Sequence, residues 1–457
     1  MRRLCSVALL LLGCTRTPPA SAPEAAEPPP VPSAPPPQPA SVEKPGADRV
    51  VAEALALVER RRELRAKGPV KGRTIGRAEM VAYVKKQLAE EIPAPILRAQ
   101  SEMLFALGVV PEAFDYEKSL LELMGSQLAG FYDPKRKSMS LAEDLPPVER
   151  DATLAHELVH ALQDQHYDLE KRIKFREDAT DEQSAIHALA EGDATSAMID
   201  HVLAVRGLRA TDVSDEVISL QARGAMELSM EAANVPTILK RSVVSPYVDG
   251  LMLVNWARRQ SGWAGVDSIW RDPPTTTEQL LHPEKLVARE KAETLPIPTA
   301  PPKGPGEVSY RDVLGEQSLR ILFEEWMPRR AAVESARAWA GDRIALFRSG
   351  ERFALAWHVR YDDEGAAKRG LEAFVRGVVR DPRASAAEFV SVEKAKAAAK
   401  PGKSCRERSS NGPFAVVRSG RDLALVAGPF ERSPAGARSA GTCADALVWA
   451  AGVAKQR

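Results

Sequence analysis

The hydrophobic pattern divides the chain into unlike stretches. Residues 4–12 form an almost unbroken apolar run behind Arg2 and Arg3. Periodicity then vanishes from Thr15 to Gly46, where twelve of 32 residues are proline, mixed with alanine and serine. From Ala47 to about Gly125 the apolar positions recur at helical spacing. Val50, Val51, Ala54, Leu57 and Val58 share one face, and 59–65 reads as a charged, solvated stretch. Further helical periodicity runs through 80–88, 96–107 and 120–128, with Pro93, Pro95 and Pro111 as breaks. At 130–141 two short runs flank Asp133-Pro134, the pattern of a β-hairpin whose edge can pair with an extended peptide. More helices follow, up to a Trp- and Pro-marked segment at 246–286.

Residues 287–306 are charged and proline-rich, and a domain boundary is expected there. Beyond it the pattern predicts a helix at 314–326, strands at 343–348 and 352–360, a helix at 363–379, and a β pair at 414–417 and 423–426. The expected fold class is α+β: a mainly helical domain with a small hairpin or sheet at 48–300, then a smaller α+β domain at 306–457. Apolar residues make up 44% of the 457, enough for two cores. Sixty-three basic side chains balance 62 acidic ones, so no electrostatic footprint for a nucleic-acid partner exists. No internal repeat and no later transmembrane run is visible.

The chemistry concentrates at Thr153-Leu154-Ala155-His156-Glu157-Leu158-Val159-His160. On a helix, histidines four apart stand one turn apart on one face and can share a metal ion. Glu157 stands beside them, placed to reach a metal-bound water as general base. A third ligand is needed, and three residues compete. His166 occupies the place of the third histidine in the metzincin motif, but Gln163 stands where that motif has a turning glycine. Glu191, in the helical segment Ala188-Leu189-Ala190-Glu191-Gly192-Asp193-Ala194-Thr195, would complete an open two-histidine, one-carboxylate site. His187, one turn before Glu191, is either a ligand or a support. Asp164, Asp193 and Thr195 are further candidates to orient the ligands. His201 and His358 have no partners in sequence and read as structural.

Three motifs together carry a family resemblance: His156-Glu157-Leu158-Val159-His160-Ala161-Leu162-Gln163-Asp164-Gln165, Ala188-Leu189-Ala190-Glu191-Gly192-Asp193-Ala194, and Glu278-Gln279-Leu280-Leu281-His282-Pro283. Over about 100–290 the chain resembles the gluzincins, the thermolysin-like branch of the zincin superfamily, and most of all a set of uncharacterised bacterial and archaeal peptidases. The resemblance implies a zincin-like domain, one Zn2+ held by His156, His160 and Glu191, and Glu157 as catalytic base. The interval from His160 to Glu191 is longer than in thermolysin-like enzymes. By the same resemblance His282 is the downstream histidine that donates to the oxyanion, with Tyr247 and Tyr132 as alternatives.

The N-terminus resembles a bacterial lipoprotein: a short apolar run, then Leu11-Leu12-Gly13-Cys14 in the manner of a lipobox. This implies a signal at 1–13, acylated Cys14 as a membrane anchor, and a 14–47 tether. In polyproline II form, at about 3.1 Å per residue, that tether spans roughly 100 Å. Cys5 leaves with the signal, so Cys405 and Cys443 remain, and outside the cytosol they are expected to pair. The expectation is a lipid-anchored, extracytoplasmic zinc metallopeptidase of the cell envelope, with a peptide or protein as substrate. The competing expectations are an inactive zincin scaffold that binds or assembles envelope components, and a hydrolase of non-peptide amides or esters.

Overall fold

The computed structural model describes residues 46–127, 129–230, 234–380, 389, 398, 402–408, 412–433 and 436–457. The signal segment, Cys5, Cys14 and nearly all of the tether lie outside the described residues. The fold is α+β, with two separate sheets.

The helical part opens with α1 (Ala47–Arg62), which buries Val51, Leu55 and Val58 along one stripe. Two expectations fail on it. Leu57 is 40% exposed, whereas Arg62, inside the supposed solvated stretch, is completely buried. Strand β1 (Lys71–Ile75) follows, then α2 (Arg77–Glu91), α3 (Ala94–Ala106) and α4 (Tyr116–Gln127). The all-helical expectation for this region missed β1. Its sequence Lys-Gly-Arg-Thr-Ile has no apolar alternation, and pairing with a partner strand supplies what local pattern lacks.

The hairpin forms as β2 (Gly130–Asp133) and β3 (Ser138–Ala142). Asp133 closes its turn by accepting the Lys135 and Arg136 amides at 3.0 and 3.1 Å. β1 adds in parallel to β3, giving the order β1-β3-β2. The three strands thereby leave β2 as the edge nearest the next helix, α5 (Pro147–Tyr167).

Short α6 (Leu169–Ile173) leads to α7 (Thr180–Leu203), α8 (Asp215–Ser229) and the long α9 (Thr237–Arg271). α9 contains Pro246 and breaks helical geometry at Ser261 and Gly262. α7 and α9 touch backbone to backbone. A Cβ on Gly192 would lie 2.0 Å from the Gly250 carbonyl carbon, and one on Gly250 would lie 1.7 Å from the Ala188 oxygen. Only glycine on both sides permits this approach. No described helix is long and apolar enough to cross a membrane.

After α10 (Thr277–Leu281) and α11 (Pro283–Ala288), residues 289–306 carry no helix or strand. A seven-stranded antiparallel sheet then forms in the order β4-β5-β6-β9-β8-β7, with β10 beside β9. Its strands are β4 (Glu307–Asp312), β5 (Trp339–Ser349), β6 (Arg352–Tyr361), β7 (Lys403–Arg408), β8 (Gly412–Ser419), β9 (Asp422–Ser433) and β10 (Gly436–Ser439). Helices α12 (Gly315–Glu324), α13 (Arg329–Ala336), α14 (Glu364–Val379) and α15 (Cys443–Val453) accompany it. The predicted strands and the two long helices are present; β4, β7, β10, α13 and α15 were not anticipated. Cys405 on β7 and Cys443 at the start of α15 form a disulfide.

Candidate metal centre

Helix α5 presents His156, Glu157 and His160, and α7 presents Glu191; all four are at most 2% exposed. Their donor atoms converge. His156 Nε2 lies 3.1 Å from Glu191 Oε2, His160 Nε2 lies 3.7 Å from the same oxygen, and the two Nε2 atoms are 3.2 Å apart. Donors about 2.0–2.2 Å from a tetrahedral zinc stand about 3.3–3.6 Å from one another, close to this triangle. The donor chemistry fits as well: two imidazoles and one carboxylate are a catalytic zinc set with one position left open. The residues present therefore fit a zinc ion.

The lone pair of His160 is set by its neighbour. Gln163 Nε2 donates to the Ala190 carbonyl at 3.0 Å, which turns its oxygen toward His160 Nδ1 at 2.8 Å. An amide oxygen only accepts, so Nδ1 carries the proton and Nε2 is free to ligate. Gln163 was passed over in sequence except as a missing glycine; its position three after a ligand was the available signal. His187 supports the third ligand, with Nε2 3.2 Å from Glu191 Oε1.

The electrostatics of these side chains follow from burial and these contacts. Burial favours the neutral form of Glu191, but hydrogen bonds from His156, His160 and His187 outweigh it and hold the carboxyl well below its usual range. Burial pulls His156 down, and the charge of His160 adds to this. His160 is also buried, yet its contacts with Glu191 push it up to about 9. Burial drives Glu157 up to about 8, against the pull of His160 and the Tyr132 amide. Glu157 Oε2 accepts that amide at 3.0 Å, while Oε1 is buried with no hydrogen-bond partner among the described residues. The edge of β2 thus serves the carboxylate rather than standing open for a peptide at Tyr132.

Other sequence candidates lie elsewhere. His166 Nε2 sits 2.6 Å from the Arg65 carbonyl, away from the cluster, as expected if the helix continues. Asp164 binds the Tyr132 hydroxyl at 2.9 Å and Lys137 at 2.5 Å, so it braces the hairpin and not His160. Asp193 is clamped by buried Arg62 at 2.5 Å and the Trp270 indole at 2.8 Å. The Thr195 hydroxyl is buried without a hydrogen-bond partner among the described residues. The expectation that these three orient the ligands is not met, since Asp164 and Asp193 brace the fold instead. His282 is not brought to the cluster either: its Nε2 is 3.0 Å from both oxygens of Glu316, and Nδ1 is 3.8 Å from Glu284. Tyr247 is brought in, its ring stacked on His156 at 5.9 Å and 5% exposed. His358 is buried and bonded to Asp422 at 2.8 Å.

Residues 306–435 match a family described as a domain of unknown function (DUF8575). The match begins just before β4, covers under a third of the chain and leaves α5 and α7 outside it. No curated protein and no solved structure matches the chain.

Proposed function

We propose that the chain is a zinc-dependent metallopeptidase of the gluzincin kind, with a zincin-like helical domain built around α5 and α7. The observation that carries the reading is the buried convergence of His156, His160 and Glu191 beside a glutamate with one unpartnered oxygen. A zinc ion held by the three ligands supplies Lewis acidity, lowering the pKa of a water and polarising a scissile carbonyl. Glu157 takes the proton of the attacking water at Oε1 and returns it to the leaving amine, while Oε2 stays anchored on Tyr132. Tyr247, against His156, replaces His282 as the proposed donor to the carbonyl oxygen.

The setting belongs to the same proposal. The lipobox-like sequence at Cys14 implies a membrane anchor, and the Cys405–Cys443 disulfide supports an oxidising compartment outside the cytosol. The substrate class is a peptide or protein.

Glu157→Gln tests the assignment, because it keeps the shape and the bond to Tyr132 but removes the base. Loss of at least about 100-fold in peptide hydrolysis is expected, within the range for general-base catalysis, with zinc content unchanged. Full activity in that variant contradicts the mechanism. A wild type that holds zinc and cleaves nothing on a broad peptide and ester panel returns the protein to the scaffold reading.

A further inference from the structure

We propose that Gln163 is a positioning residue for the metal site, locking His160 to the helix that carries Glu191. The inference rests on the metal-centre reading above and concerns what holds the ligands in place before the ion arrives.

A site made by two helices has a registry problem. His156 and His160 keep a fixed spacing on α5, but Glu191 rides on α7, and small sliding of α7 would open the triangle. Gln163 spans this junction. It lies three residues after His160 on the same helical face, within reach of that ring. Both ends of its amide are engaged, the oxygen accepting from His160 Nδ1 at 2.8 Å and the NH2 donating to the Ala190 carbonyl at 3.0 Å. Ala190 immediately precedes Glu191 in the chain, so the amide fastens the backbone at the third ligand's own position.

Both ends of the contact matter. The carbonyl end selects the Nδ1–H tautomer, without which Nε2 would carry the proton and could not ligate. The NH2 end fixes which way the amide faces, since a flipped amide would set its oxygen against the Ala190 carbonyl oxygen, acceptor against acceptor. Gln163 is itself 0% exposed, so water does not compete for either bond. His187 plays a lesser part from within α7, holding Glu191 Oε1 at 3.2 Å and leaving Oε2 for the metal. Its contact stays inside one helix; that of Gln163 couples two.

The test is metal affinity and ligand geometry on the full chain, not turnover alone. Zinc binding is measured by competition with a chromogenic chelator, and the Co2+-substituted protein by its visible absorption. For Gln163→Met, similar in size but unable to hydrogen-bond, zinc affinity is expected to fall about 10–100-fold, with an altered Co2+ spectrum. For Gln163→Glu, which keeps an acceptor for Nδ1–H but loses the donor to the Ala190 carbonyl, the Co2+ spectrum is expected to stay altered, because the bridge to α7 is gone. Affinity within about twofold of wild type and an unchanged spectrum in the methionine variant would overturn the role and leave Gln163 as packing. Should that variant not fold, the glutamate variant decides: a Co2+ spectrum unlike that of wild type supports the inference, and a wild-type spectrum with wild-type affinity overturns it. A wild type that binds no zinc removes the metal-centre reading itself, and this inference with it.

Discussion

At the scale of single residues, the structure separates side chains that hold the His156, His160 and Glu191 cluster from side chains that hold the fold. Asp193 shows the difference. Two residues after Glu191, it looks in sequence like a ligand support, yet its carboxylate is spent on Arg62 and Trp270, all fully buried. Arg62 also reaches Asp267 at 2.7 Å and lies over the Trp263 ring at 4.5 Å, so α1, α7 and α9 meet at one guanidinium. Removing Asp193 takes the shared acceptor from a fully buried guanidinium and from the Trp270 indole, with Asp267 left to compensate Arg62 in part. Asp193→Ala is therefore expected to cost about 3–5 kcal/mol in denaturant unfolding while the folded protein keeps its zinc. Selective loss of zinc at unchanged stability would make Asp193 a ligand support after all. His156, Glu157 and His160 were legible because residue type and helical spacing declare them, whereas Glu191 stood as one of three candidates, preferred through the family resemblance. Gln163 was not legible, because an amide three residues on has no signature until the neighbouring helix supplies Ala190. Arg62 was misread for the same reason: its acidic partners come from Asp193 and Asp267, far along the chain.

At the scale of elements, the decisive contact is the crossing of α7 and α9. The Gly192–Gly250 approach sits beside Glu191, so the closeness of these helices bears on where the third ligand stands. A methyl group at Gly250 would meet the Ala188 carbonyl oxygen far inside contact distance. Gly250→Ala should thus destabilise by about 1–3 kcal/mol or more through overpacking. Gly224→Ala, on exposed α8 with nothing near its Cβ, should instead add about 0.5–1 kcal/mol. Equal effects in thermal unfolding would mean that helix propensity, and not the crossing, governs both sites. Long helices and the Asp-Pro hairpin were readable from periodicity and turn residues. β1 was hidden because a five-residue strand of polar character takes its identity from β3, which lies far along the chain.

At the scale of the whole molecule, the C-terminal part is built into the frame of the proposed metal site. The first turn of α7 is fastened by Asp312, which accepts the Thr180 amide and hydroxyl at 3.3 and 2.5 Å, and by the Val313 carbonyl, which accepts the Asp181 amide at 3.1 Å. Arg320 of α12, 3% exposed, grips Asp249 of α9 at 2.6 Å, next to the glycine crossing. A linker composition at 287–306 marks a boundary in sequence, but such buried polar contacts across it are invisible there because each partner is an ordinary residue on its own. The near-neutral charge offers no long-range steering, so recognition belongs to the surroundings of the site rather than to the overall field. Since both parts of the chain position α7, the central claim is best examined on the full chain. The measurement is zinc per chain for wild type beside Glu191→Ala. One zinc in the wild type, lost when the α7 carboxylate is removed, is the predicted result. Zinc retained without Glu191, or a wild type that never holds the ion, would contradict the metal centre described here.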